Sequence, residues 1–198
     1  MTYRRIVNYL VLALIVAQIA LVLVSWLVTA AWPELPMHSL LSSGGIRWLF
    51  ASITQNLLTP VLVWLMFGCM AYGVLRESGL LSLRRPYTFR QRSALRFVAV
   101  EILLFVVVLL LLTLTPHAPL LSVTGELFPS SFSDGLVPFV CLALVVMAVT
   151  FGLATGRFSS LGSVVEALTK GFSKGASLWL LYILAAEFFA SLRYFLGT

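Results

Sequence analysis

The chain has 198 residues, 61% of them apolar and 10% charged, with a mean hydropathy of +1.05 and a formal net charge of +6. An ordinary soluble domain is about 45–50% apolar, so this composition cannot supply the polar surface that a water-soluble fold of this size needs. The apolar residues also come in blocks, and a helix needs about 20 of them to cross a hydrocarbon core of about 30 Å.

Five blocks qualify, at about 6–31, 58–75, 97–115, 136–154 and 176–196. Each must be a helix, because lipid offers no partner to unpaired backbone groups. The predicted class is an all-α polytopic membrane protein. It has five transmembrane helices and two amphipathic interfacial helices, at about 44–57 and 160–174, in a single membrane domain over 1–198.

Arg4 and Arg5 precede the first block, and Trp26 and Trp32 stand near its far end. The run exceeds the 7–15 residues of a signal core and reads as a retained span. Gln18 lies at its middle. The next stretch, "GGIRWLFASITQNL", holds Ile46, Leu49, Phe50, Ile53 and Leu57 on one helical face. Arg47, Thr54 and Gln55 lie away from that face. This reads as an amphipathic helix in the outer interface, entering span two at Pro60; an extension of span two is the alternative.

Residues 76–97, "RESGLLSLRRPYTFRQRSALRF", carry Arg76, Arg84, Arg85, Arg90, Arg92 and Arg96. A nucleic-acid surface would want aromatic stacking platforms or a recognised fold as well, and Tyr87 and Phe89 are thin support. The cluster reads instead as a topology-fixing connection. With the amino terminus in the cytoplasm, these six join Arg4, Arg5, Arg157, Lys170 and Lys174 on the inner side. Only Arg47 and Arg193 are then outside, as the positive-inside rule requires. The carboxyl terminus is expected to be extracytoplasmic, and the membrane to be the inner (cytoplasmic) one.

Glu101 is one turn into span three and is expected to snorkel to the inner surface and meet an arginine. Residues 116–135 hold Pro116, Pro119, Pro129, Gly125 and Gly135, a density of turn formers that predicts an ordered loop without regular structure. Gly152 and Gly156, and Gly171 and Gly175, are GxxxG pairs that permit close helix approach. In 160–174, Leu161, Val164, Val165 and Leu168 form a stripe, with Glu166 and Lys170 paired at i, i+4 on the wet face.

Glu187 is the informative residue. It falls near the centre of span five, where an acid costs roughly 2.5–3.5 kcal/mol on insertion scales. It reads either as a proton or substrate-coupling site or as a protonated acid hydrogen-bonded between helices, with Gln18 a candidate partner. Cys69 and Cys141 lie inside spans two and four without metal spacing and read as packing residues. His38 and His117 lie in outer loops with no second ligand at spacing. No phosphate loop, nucleophile elbow or zinc motif occurs, so neither an enzyme nor a cofactor is expected.

Several blocks resemble the AbgT family of membrane transporters. They are "SLLSSGGIRWLF" (39–50), "GVLRESGLL" (73–81), "TGELFPSSFSDGLVPFV" (124–140) and "FGLATGRFSSLGSVVEALTKGFSKGASLWLLYILAAEFFASLRYF", preceded by the arginine-rich start of span three. The resemblance implies an inner-membrane protein related to carriers of p-aminobenzoyl-glutamate and similar organic anions, built as a dimer. It also implies two re-entrant hairpins that bear the transport groups, one after "ESGLL" and one after the last block. Here Leu81 passes almost directly to Arg84, and no family binding residue has a matching position. At position 187 the family has Gln. The expectation is a dimerisation or accessory scaffold without autonomous transport, a homodimer or a partner to a separate membrane subunit, with no nucleic acid. The alternative is a small organic-anion transporter acting as a homo-oligomer.

Overall fold

The computed structural model describes residues 2–114 and 131–197. Six α-helices follow one another: α1 (Thr2–Ala31), α2 (Ser43–Leu57), α3 (Pro60–Ser78), α4 (Phe89–Leu114), α5 (Ser131–Thr155) and α6 (Leu161–Leu196). A single 3-10 turn at Leu80–Ser82 lies between α3 and α4. All of these helices except α2 are long and apolar enough to cross a membrane. Their large apolar residues point outward along much of their length, which lipid tolerates and water does not.

The helix bounds differ from the hydropathy blocks where polar residues join a helix end. α4 begins at Phe89, well before the apolar run, because Thr88 and Gln91 cap it. The Thr88 amide donates to Gln91 Oε1 at 2.9 Å, and the Gln91 amide donates to Thr88 Oγ1 at 3.4 Å, a reciprocal capping box. α5 begins at Ser131, so Gly135 is helical rather than part of a loop. The rest of the loop expected at 116–135, with His117, lies outside the described residues. The amphipathic stretch 160–174 and the fifth span are one continuous helix. At 1.5 Å per residue its 36 residues measure about 54 Å, more than the hydrocarbon core requires.

The chain forms two compact units, and their boundary falls within α3 and α6. The first comprises Met1–Leu62 and Ala176–Thr198. Its connection between α1 and α2 is fastened at both sides. Ser25 Oγ, fully buried, donates to the Val22 carbonyl and accepts from the Leu40 amide at 3.1 Å. The His38 amide donates to the Phe195 carbonyl at 3.0 Å. Ser42 caps α2 by accepting from the Gly45 amide at 3.0 Å.

The second unit is Val63–Gly175. α4 and α5 pack side by side and antiparallel, with Phe105 and Phe139 edge to face at 5.7 Å. Ala94, Val98 and Phe151 form one core cluster, and Val74, Ala148, Phe158 and Ala167 another. α3 and α6 approach with almost nothing between them. A Cβ on Gly73 would collide with the Ala167 carbonyl and the Gly171 backbone, and one on Gly171 would collide with the Cys69 carbonyl. Such contact between backbones requires glycine on both helices.

Candidate functional site

α2 and the last turns of α6 hold the polar groups of the first unit. Asn56 Nδ2 donates to Glu187 Oε2 at 3.4 Å, and Glu187 Oε1 is buried without a partner among the described residues. One turn earlier on α6, the Tyr182 hydroxyl reaches the Leu57 carbonyl and shares a 2.9 Å hydrogen bond with Thr59 Oγ1. The carbonyl takes the phenol's one proton and the Thr59 hydroxyl donates to the phenol oxygen; both partners sit where α2 ends and α3 begins. They satisfy a phenol inside an apolar segment, where an unpaired hydroxyl costs several kcal/mol.

Gln18 does not partner Glu187. Its Nε2 donates to Ser191 Oγ at 2.9 Å, with Ser191 fully buried, and its own Oε1 has no donor among the described residues. Glu187 and Ser191 are one helical turn apart on the same face of α6. They are engaged from different helices, Glu187 from α2 and Ser191 from α1.

Beside Asn56 lies a cavity of about 890 Å³. Asn56, Gln55, Thr59 and Tyr182 line it with amides and hydroxyls, and Trp48, Phe189 and Tyr194 with aromatic faces; His38 and Arg193 also reach it. Trp48 stacks on Tyr194 at 4.3 Å between centroids. The cavity is therefore amphipathic and carries a guanidinium. Glu187 is behind its wall, reached through Asn56. No group of three or more His, Cys, Asp or Glu among the described residues is arranged to hold a metal ion.

Glu101 behaves differently from its sequence expectation. It meets no arginine among the described residues. Thr150 Oγ1 on α5 donates to Glu101 Oε1 at 2.6 Å, and Oε2 is buried without a partner among the described residues. The carboxylate faces the α4–α5 seam instead of snorkelling, because the helix turns position 101 towards α5.

The two GxxxG pairs do different work. Gly152 and Gly156 finish α5 rather than pack helices. Gly156 has φ +79°, its amide donates to the Leu153 carbonyl, and the Arg157 and Phe158 amides donate to the Gly152 carbonyl. This is a Schellman cap, with the Phe158 ring on Gly152 where a Cβ would stand. Gly171 does pack against a helix, but its counterpart is Gly73; Gly175 is buried one turn further on.

The arginines of 76–96 are all exposed. Arg76 donates to the Tyr72 hydroxyl at 3.0 Å, and Arg85 lies 5.9 Å from the Tyr87 ring centre. Arg157 lies against Gly79 and donates to the Glu77 carbonyl at 3.4 Å, and Arg90 lies beside Gly156. The connections α3–α4 and α5–α6 thus meet at one end of the second unit. Glu77 accepts from Lys174 at 3.3 Å and pairs with Lys170 at 3.6 Å, while Lys170 also pairs with Glu166 at 3.1 Å.

Asn56, Thr59, Thr150, Tyr182 and Gly73 had no role in the sequence reading. Gly73 left a trace there: Cys69 and Gly73 are small residues at i, i+4, the same spacing as Ala167 and Gly171. The hydrogen-bonding residues left none, since their partners are distant in sequence.

A model of the AbgT putative transporter family matches residues 81–195, more than half of the chain. The chain belongs to the AbgT family. The AbgT match spans α4, α5 and α6, and so Glu101, both glycine pairs and Glu187. The structure is also similar to the crystal structure of the YdaH transporter of Alcanivorax borkumensis, with a TM-score of 0.80 at 16% identity, over 95% of this chain and 71% of that one. At that identity the likeness is one of fold. No curated protein matches the chain. AbgT membership makes this a multi-span membrane protein of a transporter family, with the bilayer as its solvent.

Proposed function

We propose that this chain is the frame of an AbgT-type assembly in the inner membrane. It joins copies of itself, or a separate transport-competent subunit, and does not by itself carry a solute across. The observation that carries this reading is the connection between α3 and α4. Residues 79–88 contain one 3-10 turn and nothing longer, at the point where the family resemblance implies a hairpin bearing transport groups. Transporters aim broken helices at their ligand, and the described helices contain no such break. The buried carboxylate oxygen of Glu187 fits the same reading, being closed in between helices.

The meeting of the two basic connections at one end of the second unit supports the orientation as well. That end faces the cytoplasm by the positive-inside rule, the amino terminus is cytoplasmic and the carboxyl terminus extracytoplasmic. The second reading, organic-anion transport by a homo-oligomer, is favoured by the amphipathic cavity and Arg193. It makes Asn56, with Glu187 behind it, the polar floor of a solute site.

Gentle detergent extraction of the full chain tests the first reading. A homodimer, or a hairpin-bearing polypeptide that purifies with the chain, is expected. Solute uptake by vesicles containing this chain alone, abolished by Glu187→Gln, overturns the frame reading in favour of the second.

A further inference from the structure

The first turns of α4 place two arginines above a lipid-facing stripe. Ala94 and Val98 are the buried side of this helix, at 0% and 6% exposure, packed with Phe151. At 100° per residue, Arg92 and Arg96 fall on the opposite side. The same side continues down the helix through Val100, Leu103 and Val107, exposed by 63%, 63% and 44%. Phe89, exposed by 87%, stands one turn above Arg92. The pair is therefore in line with an apolar track that starts one turn below it.

No described residue of the second unit neutralises these charges. Neither guanidinium makes an ion pair or hydrogen bond with a described residue. Glu77 and Glu166 are held by Lys170 and Lys174, and Glu101 is turned away to Thr150. Asp134 stands in the first turn of α5, at the far end of the antiparallel pair. The first turn of α4 contains no acidic residue, so the positive end of the helix dipole adds to the same field.

We propose that Arg92 and Arg96 form a headgroup site for an anionic phospholipid whose acyl chain lies along Val100, Leu103 and Val107. Side chains at i, i+4 have Cβ atoms roughly 5–6 Å apart, a span that lets two guanidinium forks grip one phosphodiester. The apolar track distinguishes a lipid from a nucleic acid or an acidic soluble protein, which could satisfy the arginines but would leave the track bare. The site requires only that α4 crosses the bilayer; it is independent of whether the chain moves a solute.

Phosphatidylglycerol and phosphatidylcholine titrated into the detergent-purified full chain, read by native mass spectrometry, test this. The wild type is expected to retain phosphatidylglycerol in preference to phosphatidylcholine. R92Q/R96Q should weaken phosphatidylglycerol about thirtyfold, from about 1 kcal/mol for each basic residue, and leave phosphatidylcholine unchanged. R84Q/R85Q should stay within about threefold of wild type, because these two lie in the connection before α4 and not above the Val100–Val107 track. Equal retention of the two lipids by the wild type overturns the proposal without recourse to any variant. So does a loss in R84Q/R85Q as large as in R92Q/R96Q, or displacement of the lipid by millimolar inorganic phosphate, which marks a free-anion site. A crosslinked dimer that depends on L103C also overturns it, because a second copy would then occupy the track.

Discussion

Among the described residues Asn56 gives Glu187 its one donor, at 3.4 Å, and the other carboxylate oxygen is buried and unmatched. A buried acceptor left without a donor costs stability. Glu187→Gln keeps the shape and adds a donor beside Asn56. It is expected to raise stability by on the order of 1 kcal/mol. Asn56→Asp sets two acids together and is expected to cost about 1–3 kcal/mol. Thermal melts in detergent read by size exclusion decide the matter; an Asn56→Asp variant as stable as wild type contradicts the pairing.

The α3–α6 crossing separates glycines that are needed from one that is not. Gly171→Ala drives a methyl into the Cys69 carbonyl, and the backbone can yield only by moving the helices apart. A cost on the order of 3 kcal/mol is expected, seen as loss of monodisperse protein. Gly68→Ala, on the same α3, meets nothing within 4 Å and should stabilise by up to about 1 kcal/mol through helix propensity. Equal melting points for the two variants would argue against the close crossing.

Thr150 is the one donor to Glu101 among the described residues, at 2.6 Å, and the second oxygen of that carboxylate already lacks one. Thr150→Val is expected to cost about 1–3 kcal/mol by orphaning a buried acceptor. Adding Glu101→Leu to Thr150→Val should recover most of that loss, since removing both partners is nearly neutral. A double-mutant cycle showing no coupling means that the contact contributes nothing.

Glu77 joins α3 to α6 through Lys170 and Lys174, and the side chains are a third to nearly half exposed. Solvent screens such pairs. Glu77→Gln is therefore expected to lower the melting point slightly at low ionic strength and not at all in 1 M salt, where the Debye length is about 3 Å. A salt-independent loss would assign Glu77 a packing role instead.

The spans were readable because lipid imposes one requirement, a continuous apolar helix, and hydropathy reports it directly. α2 was readable too, since Ile46, Leu49, Phe50, Ile53 and Leu57 keep the helical period across Ser43–Leu57. The start of α4 was recoverable in principle from Thr88 and Gln91, yet the hydropathy signal stops at the arginines. Partners of buried polar groups were not readable. Glu187 pairs with a residue 131 positions away and Gln18 with one 173 away, and nothing local specifies either. The glycine pairs have identical spacing, and only the surroundings of Gly156 and Gly171 distinguish a helix end from a helix crossing.

Where Gly73 meets Gly171, main chain rests on main chain. Helices that shear past one another do so over a cushion of side chains that can change rotamer, and this junction has no cushion. Sliding α3 by one turn along α6 would bring Cys69 or Glu77, each with a side chain, to the place of Gly73 against the Ala167 and Gly171 backbone. The notch opposes gliding of one helix along the other and leaves a swivel about it as the motion that costs least.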